Sequence, residues 1–381
     1  MARKLGVGIV GCGNISAAYF SLAPLFKGIE VTACADINPA AAKARAREFG
    51  ARAEATVEDL IKAKDVDIVV NLTIPAVHYE VSRRALDAGK HIYSEKPFVL
   101  DVKEGLDLKK RADKQGLRVG SAPDTFLGGS HQLARHLIDA GAIGRVTSGT
   151  CHVMSHGMEH WHPNPDFFFL PGAGPVLDIG PYYITNLIQL IGPVKRVTAL
   201  TATPRTERTI SNGPRNGQKV PVKTPTTIHG VMEFENGAVV TLSTSWDVWK
   251  HGHSPMELYG EDGTLFMPDP NFFGGELGLT RADKQVKKLP RWEHPFAVPN
   301  QKHPQGMMAN YRTAGLADMA LAIAADRPHR CSLDLALHAI DVMTGILRSG
   351  ETGKIVSMRT TCERPAALGP KEARALLAKK K

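Results

Sequence analysis

GIVGCGNIS, residues 8–16, sets a glycine-rich turn directly behind a short run of apolar, β-branched residues. Gly11, Gly13 and Ser16 have the spacing of a dinucleotide-binding loop, with a strand expected before the turn and a helix after it. Gly11 allows the tight turn, and Gly13 lets the backbone approach a pyrophosphate. The helix opening at Asn14 and Ile15 supplies N–H donors. Ser16 stands where such loops often have a third glycine, and its side chain is small enough for the turn. Asp36 closes the next expected strand in VTACAD. A carboxylate there accepts hydrogen bonds from the adenosine ribose and repels a 2′-phosphate, so the expected cofactor is NAD rather than NADP. Asn38 is placed to cap the helix that follows, and Asp36 can share that task.

Outward from this loop, short apolar strands at 5–10, 31–36, 67–72, 91–94 and 118–122 alternate with helical stretches at 39–49, 77–88 and 102–115. Gly89 and Gly116 follow the last two as stop signals. This alternation is that of a doubly wound parallel sheet covered by helices, a Rossmann domain over residues 1–126. From residue 145 the pattern changes. Longer alternating strands are expected at 146–153, 196–203, 227–233, 238–246 and 255–259, with a hairpin at Glu235-Asn236-Gly237. The fold class is therefore α/β, with a C-terminal α+β domain, residues 127–381, built on a large open, mainly antiparallel sheet. Residues 204–225 are rich in proline, glycine and charge and have no periodicity, so they read as a long loop serving as a lid or an oligomer arm. Helices are expected at 307–325 and 333–348 and in the tail beyond Pro370.

The 381 residues suit two domains of ordinary size. No window approaches a membrane-spanning run, and no membrane partner is expected. The opening MARKLGVGIVGCG reads as a first strand rather than a signal peptide, because glycines interrupt its apolar stretch. The five cysteines are scattered, odd in number and without a CxxC pair, which points to reduced thiols in the cytoplasm and against a zinc site. The formal net charge of +9 is spread along the chain, with small concentrations at 196–223 and 379–381. Without a helix-turn-helix or aromatic RNA-binding signature it reads as a solvated basic surface, not a nucleic-acid interface, with a mild pull on anionic substrates.

HIYSEKP, residues 91–97, places Lys96 just after an apolar strand. A dinucleotide loop has no need of that cation. Beside the nicotinamide it can hold a substrate hydroxyl and stabilise developing alkoxide charge. Asp178 and Tyr182 lie in VLDIGPYYITNLIQLIG, residues 176–192. Pro181 suits a first helical turn, which puts Asp178 at the helix start and Tyr182 in the first turn, facing one cavity. A phenol of ordinary pKa about 10 needs a nearby cation to act as a base, and Lys96 is the candidate. Whether Tyr182 or Lys96 is the working acid/base stays open at this point. The segment His156-Gly-Met-Glu159-His160-Trp161-His162-Pro-Asn164 has imidazoles and a carboxylate, but no HExxH helix, and no metal is expected. It reads as a sugar-recognition loop: Trp161 stacks on a ring face while His160, His162 and Asn164 bind hydroxyls. A polar loop at a subunit contact is the alternative. Asp124, at the carboxyl end of a strand, is a further substrate-binding candidate, with Asp247-Val248-Trp249 behind it.

Taken together, several features resemble the Gfo/Idh/MocA oxidoreductases. They are the loop, Asp36, the turn Leu72-Thr73-Ile74-Pro75 followed by His78, the Glu95-Lys96-Pro97 motif and Asp178-x-x-x-Tyr182. The resemblance runs through RPHRCSLDLALHAIDVM, residues 327–343. It implies that Thr73, Ile74, Pro75, His78, Glu95 and Lys96 line the cofactor, and that the open sheet buries against another copy in a homodimer or homotetramer. Many family members have histidine where this chain has Tyr182. The implied activity is NAD-dependent oxidation of a ring secondary alcohol of a pyranoside sugar or related polyol to a keto-sugar, with acidic or sulfonated sugars included. Two alternatives keep the fold. One is an enzyme whose tightly held cofactor cycles internally, joining two sugars or assisting glycoside cleavage; the other is a non-catalytic sugar or dinucleotide sensor.

Overall fold

Leu5–Val10 forms strand β1, and Val7, Ile9 and Val10 are fully buried in a computed structural model that describes residues 3–304 and 306–378. The basic stretch 379–381 lies outside the described residues. Burial on both faces is what a parallel strand between helical layers requires. Around β1 gather β2 (Ile29–Ala35), β3 (Arg52–Ala53), β4 (Ile68–Asn71), β5 (His91–Ser94) and β6 (Val119–Ser121). All pair in parallel, in the order β3-β2-β1-β4-β5-β6. The order reverses between β1 and β4, and open sheets of this kind hold ligands at the strand ends beside such a reversal. The short β3 is an addition to the five strands expected.

The helices on this sheet start and stop on local signals. Asn38 caps Pro39–Phe49 by accepting the Ala40 N–H at 3.1 Å. Asp101 and Glu104 form a reciprocal capping box on Val102–Gln115.

The chain divides into two units. The first takes Met1–Gly129, Glu293–Leu337 and Pro365–Lys381; the second takes Ser130–Trp292 and His338–Arg364. The sequence pattern places one boundary after residue 126, whereas two later stretches belong to the first unit. The reason lies at the edge of β6, whose unpaired backbone groups need partners. Ser121 N–H donates to Cys331 O at 3.1 Å, and His329 Nε2 lies 3.1 Å from Val119 O. The helix expected from 307 begins later, at Ala314–Ala324, because Gly306–Met308 pairs antiparallel with Gln301–His303.

In the second unit the sheet is mixed and open. Its strands are β7 (Val146–Met154), β8 (Val194–Ala202), β11 (Thr227–Phe234), β12 (Val239–Ser245), β13 (Met256–Gly260), β14 (Thr264–Met267), β15 (Gly278–Thr280) and β16 (Lys287–Lys288), with Val356–Ser357 at one edge. Among the described residues of this sheet only the β12–β7 pair is parallel. Helix Pro175–Ile191 packs on β7, β11 and β12. Val197, Ile228, Met232, Val240 and Leu242 are buried, while the alternate positions Leu200, Val231 and Val239 are exposed. Between β8 and β11, residues 204–225 are not the structureless loop expected. β9 (Glu207–Thr209) pairs with β10 (Lys219–Pro221), and Ile210, Val220 and Val222 share a small core with Met158, Phe169 and Trp246. That core fastens the arm to the segments of Met158, Phe169 and Trp246.

Candidate active site

The loop after β1 is shaped as a dinucleotide cradle. Gly11 has φ 97°, and a Cβ there would lie 2.6 Å from Leu72 O, so only glycine fits. At Gly13, by contrast, a Cβ would meet nothing within 4 Å. Gly13 and Asn14 are exposed and Ile15 half-exposed, while Ser16 is buried and returns its hydroxyl to Gly13 O at 2.6 Å. Asp36 Oδ2 accepts the Cys12 N–H at 2.7 Å and Oδ1 accepts the Asn38 N–H at 2.7 Å. The carboxylate thus braces the loop and the next helix at once. Ile37 beside it is 96% exposed, and Ile74 and Val77 are exposed too. Open backbone at Gly13, a carboxylate at the end of β2 and bare apolar side chains just beyond β2 and β4 fit NAD. Gly11, Gly13, Asn14 and Ile15 would hold its pyrophosphate and Asp36 its adenosine ribose.

Next to this cradle, one buried histidine joins two turns. His78 Nδ1 lies 2.8 Å from Pro97 O and Nε2 lies 3.0 Å from Thr73 O. Burial pulls its pKa down, and the Pro97 and Thr73 carbonyls push it back up. His78 is therefore a brace inside the unit rather than a side chain offered to a ligand. It holds the Thr73-Ile74-Pro75 turn after β4 against the Lys96-Pro97 turn after β5. Thr73 Oγ1 donates to Asn71 Oδ1 at 2.6 Å. Glu95, also buried, accepts the Lys96 N–H through Oε2 at 2.9 Å and the Tyr19 hydroxyl through Oε1 at 2.9 Å. Asp124 is only 2% exposed and accepts the Gly315 N–H at 3.1 Å, so its carboxyl serves the interior and not an open substrate surface.

The remaining candidates belong to the second unit. Helix Pro175–Ile191 starts before the position the sequence suggested: Pro175 is in the first turn and Pro181 lies inside the helix. Asp178 is in the first turn, and Tyr182 lies one turn further on rather than in the first. Their i, i+4 spacing puts them on one face. In the preceding loop, Trp161 is 63% exposed, with its ring edge-on to His162 at 5.4 Å. His160 Nδ1 lies 2.7 Å from Ser211 Oγ, and Asn164 Oδ1 accepts from Arg215 at 3.4 Å. Glu159 turns inward to Arg208, which also donates to Asp247. Among the described residues no group of three or more histidine, cysteine or carboxylate side chains is arranged to hold a metal. Asp247 further accepts the Thr226 and Thr227 hydroxyls at 2.8 and 2.7 Å. Trp249 stacks on His156 with centroids 3.3 Å apart.

Residues 5–122 match the model described as an oxidoreductase family with an NAD-binding Rossmann fold, and residues 131–266 match the GFO/IDH/MocA C-terminal domain. The chain belongs to the Gfo/Idh/MocA oxidoreductases. Like others of that family it is an NAD-dependent oxidoreductase with an NAD-binding Rossmann unit. An uncharacterised oxidoreductase of Schizosaccharomyces pombe is 25% identical to it over 307 residues, covering 74% of this chain and 82% of that one. Levoglucosan dehydrogenase of Pseudarthrobacter phenanthrenivorans is 25% identical over 291 residues, 69% of this chain and 73% of the relative. A solved structure of levoglucosan dehydrogenase, in complex with NADH and L-sorbose, has the same fold. Its TM-score is 0.79 at 22% identity, covering 94% of this chain and 100% of that one. Within this Gfo/Idh/MocA chain, sequence reasoning passed over Tyr19, Arg208 and Arg312. None sits in a motif, and each matters only through partners far away in the chain.

Proposed function

We propose that this Gfo/Idh/MocA member oxidises a ring secondary alcohol of a pyranoside or related polyol, acidic and sulfonated sugars included, with NAD rather than NADP. The observation that carries the reading is the His78 bridge, which sets the Lys96 turn against a turn of the dinucleotide crevice. When bound, the nicotinamide supplies the two-electron acceptor for the carbinol carbon. Lys96 holds the reacting hydroxyl and stabilises negative charge on its oxygen as the proton leaves. Tyr182 takes that proton, and Asp178, one helical turn before it, orients the phenol or the substrate. Trp161 offers its exposed ring to an apolar sugar face, with His160, His162 and Asn164 around it for hydroxyls. The relatives named for levoglucosan and inositol support a sugar or polyol as substrate class. The preference for NAD rests on Asp36, whose charge opposes a 2′-phosphate. The exposed face of the open sheet, with Leu200, Val231 and Val239, supports a homodimer or homotetramer.

The test is NADH formation, followed at about 340 nm, over pyranosides, inositols and acidic or sulfonated sugars, each with NAD and with NADP. A substrate-dependent signal with NAD that Tyr182→Phe loses is the expected result. Silence across the panel, with cofactor retained in the purified protein, would replace net dehydrogenation by internal redox cycling.

A further inference from the structure

Beneath the Glu95-Lys96 turn lies a cluster of ionisable groups that the proposed chemistry does not use. Glu95 Oε1, besides accepting from Tyr19, faces Arg312 Nη1 at 3.8 Å. Tyr19 belongs to Ser16–Leu22, the helix that follows the dinucleotide loop. Burial first, and the charge of Glu95 next, push its phenol pKa well up, so it remains a donor to that carboxylate. Asp124 anchors the other side, bonding the Gly315 N–H in the first turn of helix Ala314–Ala324. Arg312 stands just ahead of that helix, and its charge partly offsets the rise that burial causes in the Asp124 pKa.

The connection between them is unfavourable by itself. Thr313 has φ 85° and ψ −2°, a left-handed conformation that a β-branched residue adopts only where its surroundings impose it. Among the described residues, the buried Thr313 hydroxyl has no hydrogen-bond partner. Strain of this kind collects where geometry serves function. What this turn achieves is the placement of one guanidinium against a buried carboxylate that in turn holds the Lys96 backbone.

We infer that Arg312 is a positioning residue, acting through Glu95 to fix both the Lys96 turn and the helix of Tyr19 in the arrangement that takes NAD. The inference rests on the reading of the first unit as the NAD site with Lys96 at the nicotinamide end. A guanidinium suits the task better than an ammonium, since its planar fork keeps its direction when partly buried.

The experiment is NADH binding to the full chain by isothermal titration calorimetry, with melting temperatures alongside. The proteins are the wild type, Arg312→Gln, Arg312→Lys, Glu95→Gln and the two double variants that join Glu95→Gln to Arg312→Gln or to Arg312→Lys. Arg312→Gln and Glu95→Gln should each weaken NADH on the order of tenfold, and their double variant no more than either, because residues acting as one unit are not additive. Arg312→Lys should lose only about threefold. Additive losses, or unchanged NADH affinity in Arg312→Gln with a lowered melting temperature, would overturn the proposal and leave an ordinary structural ion pair. If Arg312→Gln does not fold, Arg312→Lys decides. A loss that vanishes in the Glu95→Gln background supports the proposal; a loss that persists there, or none at all, overturns it. A wild type that does not bind NADH overturns this proposal and the cofactor reading together. Turnover retained in Lys96→Ala overturns only the role of Lys96 in the chemistry.

Discussion

Arg208 donates to Glu159 Oε1 at 3.0 Å, and its side chain is 1% exposed. The pair ties the arm of β9 and β10 to the His156–Asn164 loop, and Asn212 Nδ2 adds a bond to Glu159 O at 2.9 Å. Removing one partner of a buried pair leaves the other charge uncompensated. Arg208→Ala should therefore lower folding stability by about 3–5 kcal/mol in urea denaturation. Arg215→Ala, whose partner Asp166 has a half-exposed side chain, should cost much less. Equal losses for the two would contradict a buried fastening at Arg208.

The two loop glycines should fail in different ways. Gly11→Ala adds a Cβ 2.6 Å from Leu72 O in a left-handed conformation and should cost about 1–3 kcal/mol of stability. A Cβ at Gly13 meets nothing within 4 Å, so the stability of Gly13→Val should stay within about 0.5 kcal/mol of wild type. NADH affinity should nevertheless fall, because the added side chain takes the place of the pyrophosphate. Calorimetry with both variants separates the two effects. NADH bound normally by Gly13→Val would remove the cradle.

Asp124 carries a pH signature. Burial raises its carboxyl pKa to about 6, above its unfolded value. The fold thus favours the neutral acid, and this contribution is complete below pH about 4 and lost as pH rises through 6. Asp124→Asn, which resembles the neutral form, should gain on wild type across that window, by on the order of 2–3 kcal/mol at pH 7. Denaturation series at several pH values check it. A difference that does not change with pH would place the carboxylate in a polar setting instead.

Lys96→Ala and Tyr182→Phe should each lower kcat/KM by on the order of a hundredfold or more on the sugar that the panel identifies. Tyr182→Phe removes only a hydroxyl from a buried ring and should leave the melting temperature within a few degrees of wild type. Full activity in Tyr182→Phe would transfer proton removal to Lys96.

The parts of this molecule legible in its residues are those governed by near neighbours. The parallel strands announced themselves as short apolar runs, and the open sheet as alternation of period two. Asn38, Gly89 and Gly116 marked helix ends where the backbone has them. The start of helix Pro175–Ile191 is ambiguous in the sequence because two prolines, Pro175 and Pro181, each offer the same first-turn signal. The arm at 204–225 shows no period in the sequence because its strands are three residues each.

By itself the sequence determined the two sheet types, the dinucleotide loop with Asp36, and the candidate set Lys96, Asp178 and Tyr182. Each of these rests on spacing within a strand, a turn or a helix, where the chain's covalent geometry sets which residues meet. Only the tertiary structure decided that 293–337 returns to the first unit, that Arg208 is fastened between Glu159 and Asp247, and that Arg312 faces Glu95. Those pairings join residues dozens to hundreds of positions apart. They follow from which buried charges and unpaired backbone groups find partners once the chain has closed, and no local pattern records that choice.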